Sequence, residues 1–91
     1  MELKSIKNLK NPFEGFGQWK EAIIENKGKD YKVTFKQFEE GSVFGINDGR
    51  ISKLTINKGK EKVANYDRGW DIEPTDEDTK AVLELLLDNE G

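Results

Sequence analysis

The chain has 91 residues, of which 36% are charged and 34% hydrophobic, and its formal net charge is -3. This length predicts a single small domain. Cysteine and histidine are both absent, which excludes disulfides, zinc sites built on these residues, and their nucleophile and proton-transfer chemistry. No apolar run approaches the ~20 residues that cross a bilayer, and no signal peptide is recognisable, so we expect a cytoplasmic protein without a membrane span.

Residues 1–16 are predicted to form an N-terminal arm in front of a single domain at residues 17–91. Apolar residues recur in the arm at a spacing of three, which favours a short amphipathic helical turn that ends before Pro12. Such a short helix is not stable alone, so we expect the arm to be ordered only where its apolar residues dock on the domain. These residues are Leu3, Ile6, Leu9, Phe13 and Phe16.

From Gln18 onward the apolar period changes to two, which predicts four mainly antiparallel strands in up-and-down order. The predicted strands cover residues 18–25, 30–38, 50–57 and 61–66. In the second strand, Tyr31, Val33 and Phe35 fall on one face.

The third predicted strand departs from strict alternation. The step from Ile51 to Leu54 predicts either a bulge near Ser52 and Lys53 or partial cover of both faces.

Residues 75–89 are predicted to form an amphipathic helix. Thr75 is the predicted N-cap, and Asp78 is placed at the third position of a capping box. The apolar stripe of this helix must cover one face of the sheet, so the expected fold class is α+β, a four-stranded sheet with a C-terminal helix packed on one face. The expected facing surface consists of Trp19, Ile23, Val33, Phe35, Leu54, Ile56 and Tyr66.

Two segments concentrate glycine, carboxylate, arginine and aromatic residues. Residues 39–50 read Glu-Glu-Gly-Ser-Val-Phe-Gly-Ile-Asn-Asp-Gly-Arg and continue as Ile-Ser-Lys-Leu, and residues 65–71 read Asn-Tyr-Asp-Arg-Gly-Trp-Asp. Both resemble the motifs of an uncharacterised family of short proteins, found mainly in phages and mobile elements of Gram-positive bacteria. The resemblance covers roughly residues 18–89. It implies a shared fold and a genomic setting, and it names no reaction.

The glycine-rich segment admits two interpretations. Its Asn47-Asp48-Gly49 sequence suits a tight turn, because these residues tolerate a positive φ. Alternatively, its backbone N–H groups, with Arg50 and Lys53, bind an anion such as a phosphate. Neither of the two common glycine-rich phosphate-binding patterns is present.

The second segment admits three interpretations. It is a turn held by an Asp67–Arg68 pair with Trp70 on the sheet edge, or an anchor for a partner protein, since aromatic residues and arginine dominate interface hot spots. A third interpretation joins Asp67 and Asp71 with a carboxylate at residue 39 or 40 as oxygen ligands for Mg²⁺ or Ca²⁺.

Catalysis without histidine or cysteine would depend on carboxylates or on a serine–lysine pair. Ser52 and Lys53 are neighbours in a predicted strand, where consecutive side chains point to opposite faces. A couple of Glu40 and Asp67 would need a deep cleft.

We therefore expect non-enzymatic binding of a host or phage protein, or of a small anionic ligand, at a rim where the two segments converge. No catalytic residue, metal or cofactor is predicted. A small carboxylate-based hydrolase and a nucleic-acid-binding protein are the alternatives, and homodimer formation is left open because the core is small. The predicted binding residues are Glu40, Arg50, Lys53, Asp67, Arg68, Trp70 and Asp71.

Overall fold

The computed structural model describes residues 1–9 and 17–91, which form an antiparallel sheet and a C-terminal helix. The strands lie across the sheet in sequence order, and every neighbouring pair is antiparallel. No helix in these described parts has the length and apolar character to span a membrane. The elements are β1 (Glu2–Asn8), β2 (Gln18–Asn26), β3 (Lys29–Gln37), a 3₁₀ turn (Ile46–Asp48), β4 (Ile51–Lys58), β5 (Glu61–Asp67), β6 (Trp70–Ile72) and α1 (Glu77–Glu90).

The prediction of a four-stranded sheet is wrong, because the described residues form six strands. The predicted strands correspond to β2, β3, β4 and β5, and the sheet continues through β1 at one edge and β6 at the other. The coarser prediction, an α+β fold with a C-terminal helix, agrees with the structure. Strand β6 has only three residues, too few to produce a recognisable period.

The helical turn predicted near the start of the chain is also wrong, because these residues form β1. The apolar spacing of three has a different cause: the register shifts between Leu3 and Ser5. This irregularity lets Leu3 pair with Ile24 and Ile6 pair with Ala22, so residues three apart lie on the same face. Phe13 and Phe16, whose docking was predicted, lie outside the described residues.

The core lies between α1 and one face of the sheet. The β2 and β3 residues on this face pair directly, Ala22 with Val33 and Ile24 with Tyr31, and directly paired residues share a face. The predicted β2 surface of Trp19 and Ile23 is therefore wrong, since alternation places both on the opposite face, called the open face below. The buried apolar residues are Ala22, Ile24, Tyr31, Val33, Phe35, Ile46, Ile51, Leu54, Ile56, Ala64, Tyr66, Val82 and Leu86.

The N-cap of α1 lies one residue later than predicted. Asp76, not Thr75, is the N-cap, and its carboxylate accepts hydrogen bonds from the backbone N–H and the hydroxyl of Thr79 at 2.9 and 2.8 Å. These bonds, the backbone one first, hold the pKa of Asp76 below its usual value. Thr79 is fully buried, so the cap is built against the core, whereas a cap at Thr75 would lie further out.

The β2–β3 and β4–β5 turns lie at one end of the sheet, called the turn end below. In the β2–β3 turn, Lys27 and Gly28 have the positive φ that a two-residue hairpin favours. Lys27 also forms an ion pair with Asp78 at 2.8 Å, and this hydrogen-bonded carboxylate raises the lysine pKa. The opposite end, where β3 leaves and β4 enters, carries the loop of residues 38–50 and the last turn of the helix.

Candidate ligand-binding cleft

A cleft opens at the end of the sheet opposite the β2–β3 turn. Its walls come from the ends of β2, β3 and β4, the glycine-rich loop, and Arg68 in the β5–β6 turn. Among the described residues that line it, five side chains are cationic and two are carboxylates. The cations are Lys20, Lys36, Arg50, Lys53 and Arg68, and the carboxylates are Glu39 and Glu40.

The glycine-rich loop is shaped by close backbone packing. A Cβ at Gly45 would overlap the carbonyl oxygen of Gly49, and one at Gly41 would lie 2.6 Å from the carbonyl oxygen of Asp48. Asn47 and Asp48 adopt positive φ angles of 54° and 58°. The turn interpretation of Asn47-Asp48-Gly49 therefore describes the observed backbone.

Several backbone donors that could form an anion cradle are already engaged within this loop. The N–H groups of Gly45 and Asp48 donate to the carbonyl oxygens of Ser42 and Gly45, both at 3.0 Å, and the Phe44 N–H donates to the Ser42 hydroxyl. The Ser42 N–H donates to Gly49 at 3.2 Å. These N–H groups are therefore not free to bind an anion.

A bulge in β4 places Ser52 in the cleft wall. Lys36 pairs with Lys53 and Gln37 pairs with Ile51, so Ser52 is the extra residue, and the predicted bulge is confirmed. Ser52 is only 7% exposed, and its carbonyl oxygen accepts a hydrogen bond from the Arg68 N–H at 3.0 Å. Its hydroxyl has no hydrogen-bond partner among the described residues, the amine of Lys53 included.

A transverse row of paired residues crosses the open face next to the cleft. Trp19 pairs with Lys36, Lys36 with Lys53, and Lys53 with Asp67. The Cβ atoms of such partners lie roughly 4.5–5.5 Å apart, and like charges in this arrangement are destabilising. The amine of Lys53 lies 3.8 Å from the exposed Asp67 carboxylate, whereas Lys36 forms no ion pair with the described residues and lies 5.3 Å from the Phe38 ring.

The two polar segments converge at this cleft. The Tyr66 hydroxyl in β5 donates to the carbonyl oxygen of Phe44 in the loop at 3.0 Å. The Arg68 guanidinium lies 5.8 Å from the centre of the Phe44 ring, and in the described chain no carboxylate forms an ion pair with it. Asp67 pairs with Lys53, so the predicted Asp67–Arg68 pair does not form.

The side chains of Arg50 and Lys20 bind the C-terminal end of α1. The Arg50 guanidinium donates to the carbonyl oxygens of Glu90 and Gly91, at 3.1 and 3.5 Å, and Lys20 pairs with the Glu90 carboxylate at 3.0 Å. Cations are favourable here, because the C-terminal end of a helix carries a partial negative charge. Both side chains line the cleft while holding α1 on the sheet.

Trp70 and Asp71 lie in a separate shallow depression beside β6, which Asn65, Asp67 and Gly69 also line. The Trp70 ring meets the Tyr66 ring edge to face, with centroids 5.0 Å apart. The Asp71 carboxylate accepts from the Asn65 amide at 3.2 Å. Of the seven predicted binding residues, the structure thus brings Glu40, Arg50, Lys53 and Arg68 into the cleft, Asp67 beside it, and Trp70 and Asp71 into the depression.

The carboxylates proposed as metal ligands are not brought together. Glu39 and Glu40 line the cleft, whereas Asp67 and Asp71 line the depression. In residues 1–9 and 17–91, no three acidic side chains form a group that could hold a metal ion.

Sequence reasoning did not select Lys36 as a site residue, and it considered Ser52 only as a nucleophile. The register between β3 and β4 determines where the side chains of both residues lie. The interruption between Ile51 and Leu54 was the available signal, because a bulge often changes the direction of a side chain near a site.

A comparison with known protein families identifies the family of this chain. A family model described as a domain of unknown function (DUF7678) matches residues 18–90. The chain therefore belongs to this uncharacterised domain family, and the match covers β2 through α1. Comparisons with curated proteins and with solved structures find no match.

Proposed function

We propose that this protein is a non-enzymatic binding protein whose cleft receives an anionic ligand or an anionic group of a partner protein. The observation that carries the proposal is the cross-strand pair of Lys36 and Lys53, with Arg68 beside it. An anion between these cations would relieve their repulsion, and hydrogen bonds to charged groups are stronger than those between neutral groups. Glu40, at the exposed rim, would orient the ligand.

The second part of the proposal concerns the biological context in which the protein binds its partner. The segments at residues 39–54 and 65–71 resemble motifs found in phage and mobile-element proteins, and an accessory protein that binds a host or phage partner fits that resemblance. Trp70 and Asp71, beside the cleft, would then supply contact area and a hydrogen-bond acceptor to the same partner.

The proposal can be tested with defined anions. Citrate, pyrophosphate and a hexaglutamate peptide would be titrated at low ionic strength while intrinsic tryptophan fluorescence is recorded, because Trp19 is the cross-strand neighbour of Lys36. We expect saturable binding that weakens with added salt and is lost in the double variant Lys36→Gln/Lys53→Gln.

Lys60→Gln is the matched control, because this lysine is exposed in the β4–β5 turn at the other end of the sheet. It should bind like the wild type. Failure of all three probes to bind, or equal weakening by the control substitution, would contradict the proposal.

A nucleic acid is the second candidate ligand, favoured by one observation. Phe44 is 55% exposed and its ring lies beside Arg68. Single-stranded nucleic acids combine base stacking on aromatic rings with backbone contacts to cations. Oligothymidylate in the same titration decides between the candidates, since binding that is lost in Phe44→Ala, whereas pyrophosphate binding is kept, favours the nucleic acid.

A further inference from the structure

The hydroxyl of Ser52 is a feature of the cleft to which a purely electrostatic attraction between the cations and an anion assigns no role. The residue is 7% exposed, yet its hydroxyl makes no hydrogen bond within the described chain. Since no fully buried side-chain oxygen of the described residues lacks a partner, this hydroxyl keeps some exposure to solvent, and Ser52 lines the cleft. A nearly buried donor without a protein partner indicates a place where a ligand or water accepts its hydrogen bond.

Lysine, arginine and serine donors line this cleft together. Lys36 and Lys53 extend from paired positions of β3 and β4, and Ser52 is the bulge residue next to Lys53. Arg68 enters from the β5–β6 turn, where its N–H binds the Ser52 carbonyl oxygen at 3.0 Å. The cations and the hydroxyl thus belong to two strands and one turn that line the same cleft.

We infer that the cleft binds the terminal phosphate of a phosphate monoester, an inference that rests on the proposed anion-binding function. A carboxylate offers two oxygens in one plane, whereas a phosphate monoester offers three terminal oxygens arranged around phosphorus. One oxygen accepts from Ser52, and the others meet Lys36, Lys53 and Arg68. The monoester also carries about -1.5 to -2 charges at neutral pH, which matches several cations better than a single charge does.

The arrangement favours a monoester over the diester backbone of a nucleic acid. Away from the cleft, two lysines of the open face are paired, since Glu21 lies 3.6 Å from Lys7 and 3.5 Å from Lys32. Lys62, opposite Asn57 of β4, forms no ion pair with the described residues. Lys36, Lys53 and Arg68 all line the cleft, whereas Lys62 lies near the other end of β5. The described cations of the open face therefore do not form the continuous track that a chain of phosphates follows.

Three matched probes separate these chemistries: phenyl phosphate, diphenyl phosphate and benzoate. Each would be titrated into isotopically labelled protein at constant ionic strength, with backbone amide shifts followed by NMR. We expect phenyl phosphate to shift the amides of Ser52, Lys53 and Arg68 and to bind about tenfold more tightly than either other probe, as expected for added hydrogen bonds between charged groups.

Two variants test the assigned donors. Ser52→Ala removes only the hydroxyl and should weaken phenyl phosphate about tenfold, with little effect on benzoate. Thr34→Ala is the control, because it removes a hydroxyl from the open face outside the cleft wall. The amide spectrum of each variant shows whether the fold is kept, and Ser52→Gly is the substitute if the alanine variant is misfolded.

The outcomes distinguish this inference from the proposed function. Equal binding of benzoate and phenyl phosphate, with no effect of Ser52→Ala, would overturn the phosphate inference and leave anion binding standing. Tighter binding of diphenyl phosphate would overturn the monoester preference in favour of a nucleic-acid backbone. If no probe binds and Lys36→Gln/Lys53→Gln changes nothing, the inference and the proposed function both fail.

Discussion

The helix-covered face of the sheet and its open face satisfy their side chains in different ways. On the covered face, Ala22, Ile24, Val33, Phe35 and Ile56 are completely buried, and removal of apolar surface from water stabilises them. On the open face, lysines, threonines and carboxylates meet across the strands, through ion pairs and hydrogen bonds in contact with solvent. Stability is therefore expected to depend mostly on the covered face, which leaves charges of the open face free to serve binding.

The largest effect expected from this difference comes from Phe35. Phe35→Ala should lower the free energy of unfolding by about 3–5 kcal/mol, because it removes a large buried side chain and leaves a cavity. Urea denaturation measures this loss. Its neighbour Thr34 lies on the open face, and Thr34→Ala should cost less than about 1 kcal/mol. Similar losses for the two variants would show that the faces contribute equally.

The second largest effect on stability is expected at Arg50, which lines the cleft but binds the end of α1. Arg50→Ala should cost about 1.5 kcal/mol, the lower part of the range for hydrogen bonds of charged groups, because the guanidinium is partly exposed. Arg68→Ala, which removes an arginine without such bonds, should cost less than about 0.5 kcal/mol. A cost for Arg68 equal to that for Arg50 would contradict the assignment of Arg50 to the helix end.

Asp76 sharpens the comparison at the other end of the helix. Asp76→Ala should cost about 1 kcal/mol, typical of a lost N-cap. Because the folded pKa of Asp76 is lowered, its contribution is complete above the unfolded carboxyl value of ~3.9 and is lost as the pH falls through the lower folded value.

Urea denaturation of both proteins between neutral and strongly acidic pH measures this dependence. The difference between wild type and Asp76→Ala should shrink at the acidic end. A difference that is constant with pH would exclude a role for the ionised cap.

The smallest effect on stability is expected on the open face. Lys53→Gln should change the free energy of unfolding by no more than about 0.5 kcal/mol, because the weak contact with Asp67 and the repulsion from Lys36 oppose each other. The variant should also respond less to added salt than Lys60→Gln does, since salt screens the Lys36–Lys53 repulsion. A loss above 1 kcal/mol would show that this lysine is structural.

The sequence predicts regular strands and the helix better than it predicts the edges of the sheet. Tyr31, Val33 and Phe35 alternate strictly, and they occupy one face of β3 as expected. Strand β1 was misread because its irregular register imitates a helical spacing. The face of β2 was predicted wrongly because both faces of this strand carry apolar residues, Trp19 and Ile23 on one and Ala22 and Ile24 on the other, and only the pairing with β3 decides which are covered.

The candidate site was predicted in part for similar reasons. Local composition identified the two segments that meet at the cleft, because glycine, arginine and aromatic residues stand out in a lysine-rich chain. The contribution of Lys36 depends on its pairing with Lys53, and the exposure of the Ser52 hydroxyl depends on the bulge. Arg50 was predicted to bind the ligand, whereas its guanidinium binds Glu90, 40 positions away in the sequence. Local sequence patterns do not reveal a contact over such a separation.

The attachment of the last helical turn to the sheet has a practical consequence for fusion proteins and surface immobilisation. Because the carbonyl oxygens of Glu90 and Gly91 are held by Arg50, a linker joined after Gly91 would begin beside the cleft and compete for its entrance. Glu2 pairs with Glu25 at the turn end, so a label placed before Met1 would project from the far side of the molecule and leave the entrance accessible.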